Sequence, residues 1–470
     1  MRRLHPEDLL LLLGARPRAD VGAWLRDGLR DAVASGRLEA GVALPSSRAA
    51  AAGLGVSRGT VAAAVDELVG EGVLESRPRS SVVVADLARR PRGAAPGPAR
   101  AGAEAPGERP ASVGAPDPAL FPRAAWARAV RDATRELPDA ELGYPDPQGL
   151  LELRLALAAH LRTARAAPVE ARDVVIVSGV AQGLALLGEV LAERSAGRRI
   201  AVEDPASPGV VTQLRDAGLE VVPVPVDDRG IRTDALPDAA AAVVTPAHQF
   251  PLGVVLAPER RRELVAWARD GGRLLLEDDY DAELRYDRQP VGALRGLDPD
   301  HVVLLGSVSK LLSPSLRLGW VVAPAGARDA LVDAKRRADL GCSVPEQAAF
   351  ARLIADGAYA RHLRRARLAY KGRRGLLLDA LARDAPQLVV EGVAAGLHLV
   401  VRLPDDDAEA RAVAALRDVG VPAEALSGMS VRPGSRGVVV GAARVQGSAV
   451  ARVVEILAAA GGVEATSQEK

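Results

Sequence analysis

Gly306-Ser307-Val308-Ser309-Lys310-Leu311-Leu312-Ser313-Pro314-Ser315-Leu316-Arg317-Leu318-Gly319 follows directly on an apolar run at 302–305. That run is one of six, the others lying at 174–177, 200–202, 221–224, 241–244 and 274–276. Each is continuously apolar, which predicts strands buried on both faces. Amphipathic helical stretches separate them. From about Ser112 onward this alternation predicts a mainly parallel sheet in an α/β domain. A helical stretch over 359–382 then leads into a smaller α+β region, with a strand expected at 397–403. No internal repeat is present.

The ends of these runs carry chemistry. A lysine after a strand is ordinarily a surface lysine, but Lys310 is one of only four lysines, with Lys335, Lys371 and Lys470. Its neighbours Ser307 and Ser309 offer hydroxyls to an anion, and Arg317 offers a guanidinium fork. Ser178-Gly179-Val180-Ala181 leaves one strand and opens a helix, so its amides form a second anion site. Glu277-Asp278-Asp279-Tyr280 ends another strand with carboxylates and a phenol. Pyridoxal 5′-phosphate requires this set: a lysine for a Schiff base, a carboxylate for the pyridine nitrogen, a donor for the phenolic oxygen and a phosphate cradle. All lie where parallel strands end, the place where such sheets bind ligands.

Outward from this centre, the 470 residues are too many for one ordinary core and predict two or three domains. With 48% hydrophobic and 26% charged residues the balance is globular, and the net charge of +1 does not by itself announce a nucleic-acid partner. Cys342 is the only cysteine, which excludes an internal disulfide and a cysteine-based metal cluster and fits a reducing cytoplasm. The histidines lack ligand spacing, so no metal is expected. Leu9 to Leu13 follow Glu7 and Asp8, too short and too acidic a run for a signal peptide. No stretch is long enough to span a bilayer. Residues 87–111, mostly Ala, Pro, Gly and Arg without apolar period, are expected to form a flexible linker. The expected domains are therefore 1–86 and 112–465.

In the first domain, apolar residues recur at helical intervals from Ala23 to Ser35. Ser46 and Ser47 are placed to cap a short helix, and Gly53-Leu54-Gly55-Val56 reads as a tight turn. Ser57 caps a longer helix to about Val69. Two short apolar runs, Val73-Leu74 and Val82-Val83-Val84, then flank Arg77-Pro78-Arg79-Ser80-Ser81. Two helices, a tight turn and a hairpin describe a winged helix-turn-helix whose second helix enters a major groove. Its first residues, Ser57-Arg58-Gly59-Thr60, supply a cap, an arginine fork, a place without bulk and a hydroxyl. Against this stands the charge: residues 1–86 carry eleven basic and eleven acidic side chains.

Leu44-Pro45-Ser46-Ser47-Arg48, Leu54 through Val61 and Leu68-Val69-Gly70-Glu71-Gly72 resemble the GntR-type DNA-binding domain. The resemblance implies contacts to double-stranded DNA from Arg48, Ser57, Arg58 and Thr60, and from Arg77 and Ser80 at the wing. Where that family's wing turns on glycines, Arg79 and Ser81 stand here, which implies a looser hairpin. The second domain resembles the fold-type I aminotransferases. With Thr245-Pro246-Ala247-His248-Gln249-Phe250-Pro251-Leu252-Gly253 and Glu277-Asp278-Asp279-Tyr280-Asp281, the chain resembles the MocR-like GntR regulators, in which the two are fused. By that resemblance Lys310 holds pyridoxal phosphate as a Schiff base, Asp278 pairs with its ring nitrogen and Tyr280 bonds its phenolic oxygen. Asp279 is the alternative nitrogen partner, and His248 is either part of the site or structural. Val180, Ala181, Ser307 and Arg317 hold the phosphate. Tyr144, in Gly143-Tyr144-Pro145, matches a tyrosine that reaches the phosphate from a partner subunit and implies a homodimer with shared sites.

Two places depart from the family. An aromatic ring that stacks on the cofactor is replaced by Ser207, and the arginine that grips a substrate carboxylate is replaced by Val439, with Arg436 and Arg444 nearby but out of register. Losing a buried forked pair removes a few kcal/mol of substrate binding. The expected function is a transcription regulator sensing pyridoxal phosphate, or an amino acid or amine bound with it. The alternatives are an active aminotransferase with an appended DNA-binding domain, and a repressor whose large domain is only a dimerisation scaffold.

Overall fold

A computed structural model describes residues 3–17, 19–77, 81–86, 112–194, 198–286, 291–432 and 434–462. The chain divides into two compact units, Met1–Gly107 and Glu108–Lys470. The expected linker at 87–111 and the wing residues Pro78, Arg79 and Ser80 lie outside the described residues.

The first unit packs helices α1 (Pro6–Leu13), α2 (Val21–Ala34), α3 (Ser47–Leu54) and α4 (Arg58–Gly70) against a hairpin of β1 (Leu74–Arg77) and β2 (Ser81–Val84). The caps are those the sequence predicts. Ser46 Oγ accepts from the Ala49 amide at 3.2 Å, and Ser57 Oγ from the Thr60 amide at 3.0 Å. Gly55, at φ +64°, supplies the left-handed residue between α3 and α4 that a side chain would strain. The tight turn is shorter than the sequence predicts, because Gly53 and Leu54 still belong to α3. The hairpin is fully paired from Leu74 opposite Val84 to Arg77 opposite Ser81, so Ser81 stands in a strand.

Helix α1 was not predicted. A leucine run with no polar alternation gives no period, yet Leu9 is buried with Leu25, Leu29, Leu54 and Leu68. Two glycines make room for it. A Cβ at Gly53 would meet Pro6 at 2.9 Å, and one at Gly28 would meet Leu13 at 2.6 Å.

The second unit is built on an eight-stranded sheet. Its strands are β3 (Val174–Val177), β4 (Arg199–Asp204), β5 (Glu220–Asp227), β6 (Gly230–Ile231), β7 (Ala241–Val244), β8 (Leu274–Asp278), β9 (Val302–Ser307) and β10 (Gly319–Val322). The order is β3-β10-β9-β8-β7-β4-β5-β6, with the run from β9 to β5 parallel. β10 is antiparallel to both β3 and β9 and was missed. Its four residues follow the lysine loop so closely that they read as part of it. β5 also departs from expectation: only Val224 in it is fully buried, because the short β6 beside it ends the sheet.

A smaller antiparallel sheet follows, β11 (Val390–Glu391), β12 (Leu399–Arg402), β13 (Ala423–Ala425) and β14 (Gly437–Val440), in the order β11-β12-β14-β13. The helix Ala358–Asp384 joins the two sheets' cores, burying Tyr359, Leu363 and Ala366 in one and Leu377 and Leu381 in the other. No helix among the described residues is long and apolar enough to cross a membrane.

Candidate functional site

The C-terminal ends of β4, β7 and β8, with the loop after β9, surround a cavity of about 180 Å³. Lys310, Asp278, Tyr280, Glu203, Thr245, Phe250, Ser207 and Glu424 line it, together with Ser112 and Gly114 from the start of the large domain. Three residues beyond β9, Lys310 reaches the opposite wall. A Cβ on Gly114 would stand 3.1 Å from its Nζ. Burial lowers the Lys310 amine from its ordinary range, opposed by Asp278, Asp281 and Glu424.

The adjacent carboxylates separate in space. Glu277 turns inward, accepting from the amides of Leu294 at 3.0 Å and Arg295 at 3.3 Å. Asp279 is bound by Arg165 Nε at 2.6 Å. Asp278 faces the cavity, and its buried Oδ1 has no hydrogen-bond partner. Burial pushes Asp278 up to about 7, with Asp279 adding and Lys310 opposing. Glu203 is likewise pushed up to about 7 by burial, although Thr245 and Gln249 donate to it.

Tyr280 is held from behind. His248 Nδ1 lies 3.0 Å from its hydroxyl and 2.8 Å from Asp281 Oδ2. His248 is buried, and the two contacts place it behind the phenol. The sequence left that histidine open because a contact 33 positions away in the chain has no local signature.

The anion cradle lies at the start of the helix Val180–Arg194. The Val180 and Ala181 amides open that helix and have no acceptor within it. Arg317, at φ +47°, bends its guanidinium back to donate to the Ser178 carbonyl at 2.6 Å. Gly179 has φ +87°, and a Cβ there would meet that guanidinium at 3.0 Å. Ser307 is buried beside the loop, with its Oγ accepting from the Ser309 amide at 3.3 Å. Tyr144 is elsewhere. It is 89% exposed and lines a separate groove with Asp339, Gly341 and Ser343.

The two departures fall in different surroundings. Ser207 lines the cavity and begins the helix Pro208–Asp216. Val439 is fully buried among Val113, Leu252, Val400, Leu426 and Met429. Arg436 is paired with Asp406 at 2.7 Å, and Arg444 is exposed. Neither arginine lines the cavity. Glu424, Ser112 and Gly114 were missed: one glutamate in the short strand Ala423–Ala425 carries no motif, and Ser112 and Gly114 stand at the expected start of the large domain, ahead of any motif.

In the first unit the even charge balance resolves into two parts. Arg26 pairs with Glu67 at 3.1 Å and Arg30 with Glu71 at 2.6 Å, tying α2 to α4. Arg48 and Arg58 stand exposed in the first turns of α3 and α4. Thr60 Oγ1 is 2.8 Å from Ser57 Oγ at the α4 cap. Arg77 lies 3.8 Å from Glu75 on the hairpin.

Fold and site define the class: a winged-helix DNA reader joined to an aminotransferase-fold domain whose cofactor is pyridoxal 5′-phosphate. The orphan Asp278 oxygen and the Gly179 cradle fit that group's ring nitrogen and phosphate. Residues 24–84 match the bacterial regulatory proteins of the gntR family, and residues 113–446 match aminotransferase class I and II. The pyridoxine biosynthesis transcriptional regulator PdxR of Corynebacterium glutamicum is 37% identical, covering 84% of this chain and 86% of that protein. The probable rhizopine catabolism regulatory protein MocR of Rhizobium meliloti is 33% identical, covering 80% of each. The crystal structure of an archaeal alanine:glyoxylate aminotransferase shares the fold, with a TM-score of 0.69 at 24% identity over 75% of this chain and 90% of that one. The chain belongs to the MocR-like GntR transcriptional regulators, and its winged helix binds DNA.

Proposed function

We propose that this regulator senses pyridoxal 5′-phosphate, or an amine presented with it, and transmits occupancy of the Lys310 cavity to DNA. One observation carries the reading. Lys310, Asp278 and Tyr280 line one cavity, while the place of the substrate-gripping arginine is filled by a buried valine. When bound, the cofactor supplies an electrophilic aldehyde that takes up amines. Lys310 holds that aldehyde, Asp278 pairs its oxygen with the ring N–H, and Tyr280 donates to the phenolic oxygen. Val180, Ala181, Ser307 and Arg317 take the phosphate. The exposure of Tyr144 supports a homodimer in which it completes the partner's site.

The route outward starts in the cavity wall. Ser112 and Gly114 touch the space beside Lys310, and the chain continues from Ser112 directly into residues 87–111. A ligand that displaces this wall biases the states in which the dimer presents its two winged helices. The pyridoxine-biosynthesis role named for the Corynebacterium relative makes genes of vitamin B6 metabolism the target class we infer.

The test uses the full chain with operator DNA. Cofactor addition should produce the absorbance of a lysine-bound pyridoxal group and change operator affinity, and Lys310→Ala should remove both effects. Operator affinity that ignores the cofactor would leave only a scaffold. Rapid keto-acid formation from common amino acids would instead identify an enzyme.

A further inference from the structure

The charged groups lining the cavity are Glu203, Asp278, Glu424 and Lys310, with no arginine among the described residues. Two of these carboxylates have assigned partners: Thr245 and Gln249 donate to Glu203, and Asp278 answers the cofactor ring. Glu424 differs. It is half-buried on β13 and makes no hydrogen bond or ion pair among the described residues. It stands directly opposite Val439 in the β13–β14 register. Opposed residues of an antiparallel pair project on the same side of the sheet. The wall that lacks the carboxylate-gripping arginine therefore presents a carboxylate that feels the Lys310 charge but holds no hydrogen bond or ion pair among the described residues.

A carboxylate-bearing ligand placed there meets like charge in a half-buried site, where screening is weak. A ligand with a second positive charge meets an acceptor already in place. The cavity's apolar lining residues include Val202, Ala206, Val210, Val243 and Phe250. That suits an alkyl chain. We propose that the effector is an alkyl diamine without a carboxylate, one ammonium bound by Glu424 and the other amine directed toward Lys310. This rests on the cofactor-sensing reading above and adds the chemical class of the ligand.

Isothermal titration of the full-length, cofactor-loaded protein with three matched probes tests it. Butylamine lacks the second amine of 1,4-diaminobutane, and L-ornithine adds an α-carboxylate to it. Diaminobutane should bind about tenfold more tightly than either, the worth of one charge-assisted hydrogen bond. Glu424→Gln should bring diaminobutane down to the butylamine level and leave butylamine unchanged, while Glu424→Asp should keep the preference. Equal binding of the three probes by the wild type, no binding of any of them, or an unchanged preference in Glu424→Gln would each overturn the proposal. Absorbance of the bound cofactor, read on the same samples, separates the two levels. A wild type with no such band refutes the cofactor-sensing reading itself, whereas a normal band without diamine preference refutes only the diamine.

Discussion

Asp278→Asn should stabilise the cofactor-free protein and weaken the cofactor-bound one. Among the protein's own groups, Asp278 has one buried oxygen without a partner, and burial raises its pKa from 3.8 to about 7. A raised carboxylate binds more protons folded than unfolded. Its charge therefore costs nothing below pH 3.8, and stability falls as pH climbs toward 7. The full rise corresponds to at most about 4 kcal/mol at roughly 1.36 kcal/mol per pH unit. Part of that loss is already present at pH 5. The stability difference between variant and wild type should thus grow by about 2–3 kcal/mol from pH 5 to pH 8. Taking the difference cancels Glu277, which is also pushed up to about 7 and remains in both proteins, and most of the rise at Glu203, to which Asp278 adds the smallest of the contributions. Urea unfolding followed by tryptophan fluorescence reads the larger unit, which holds Trp126, Trp267 and Trp320. With cofactor the sign reverses, because the pyridine N–H loses a charged partner worth about 1.5–3 kcal/mol. A difference that stays flat between pH 5 and pH 8, or a wild type more stable than the variant at pH 8 without cofactor, would refute the reasoning.

Three further outcomes are expected. Lys310→Ala should abolish the absorbance of lysine-bound cofactor while far-ultraviolet circular dichroism stays unchanged, since a half-buried side chain at the cavity wall adds little to the core. Arg58→Ala should cost about 1–3 kcal/mol of operator affinity if its fork reads a base, measured by fluorescence anisotropy; full affinity in the variant would remove Arg58 from the interface. Val439→Arg should lower the unfolding temperature, because the larger side chain enters a filled apolar cluster at a cost of about 1–3 kcal/mol. It should not confer amino-acid binding, because Glu424 stands opposite and takes the new charge; titration with alanine checks this.

Much of the molecule is legible in the sequence because its signals are local. Ser46 and Ser57 cap helices three residues ahead of the amides they accept from, and Gly55 supplies a left-handed turn that other residues resist. Apart from β5, the apolar runs announce strands because a strand buried on both faces has no polar side. Lys310, Asp278 and Tyr280, which line one cavity, are legible for a related reason: each sits at a strand end or in a short loop, so the chain order of the motifs already follows the rim of the sheet. Other features depend on distant parts of the chain meeting. The leucines of α1 become a helix against Leu25, Leu29 and Leu54, with Gly28 and Gly53 clearing the way. Asp278 and Asp279 are told apart by Arg165, which claims Asp279 and leaves Asp278 facing the cavity. His248 acquires its role only when Asp281 and Tyr280 arrive beside it. Glu424 reaches the Lys310 cavity from a separate sheet more than a hundred residues on. Backbone propensity and capping act over a few residues and are written in the chain, whereas desolvation and charge pairing depend on neighbours that only the folded topology supplies.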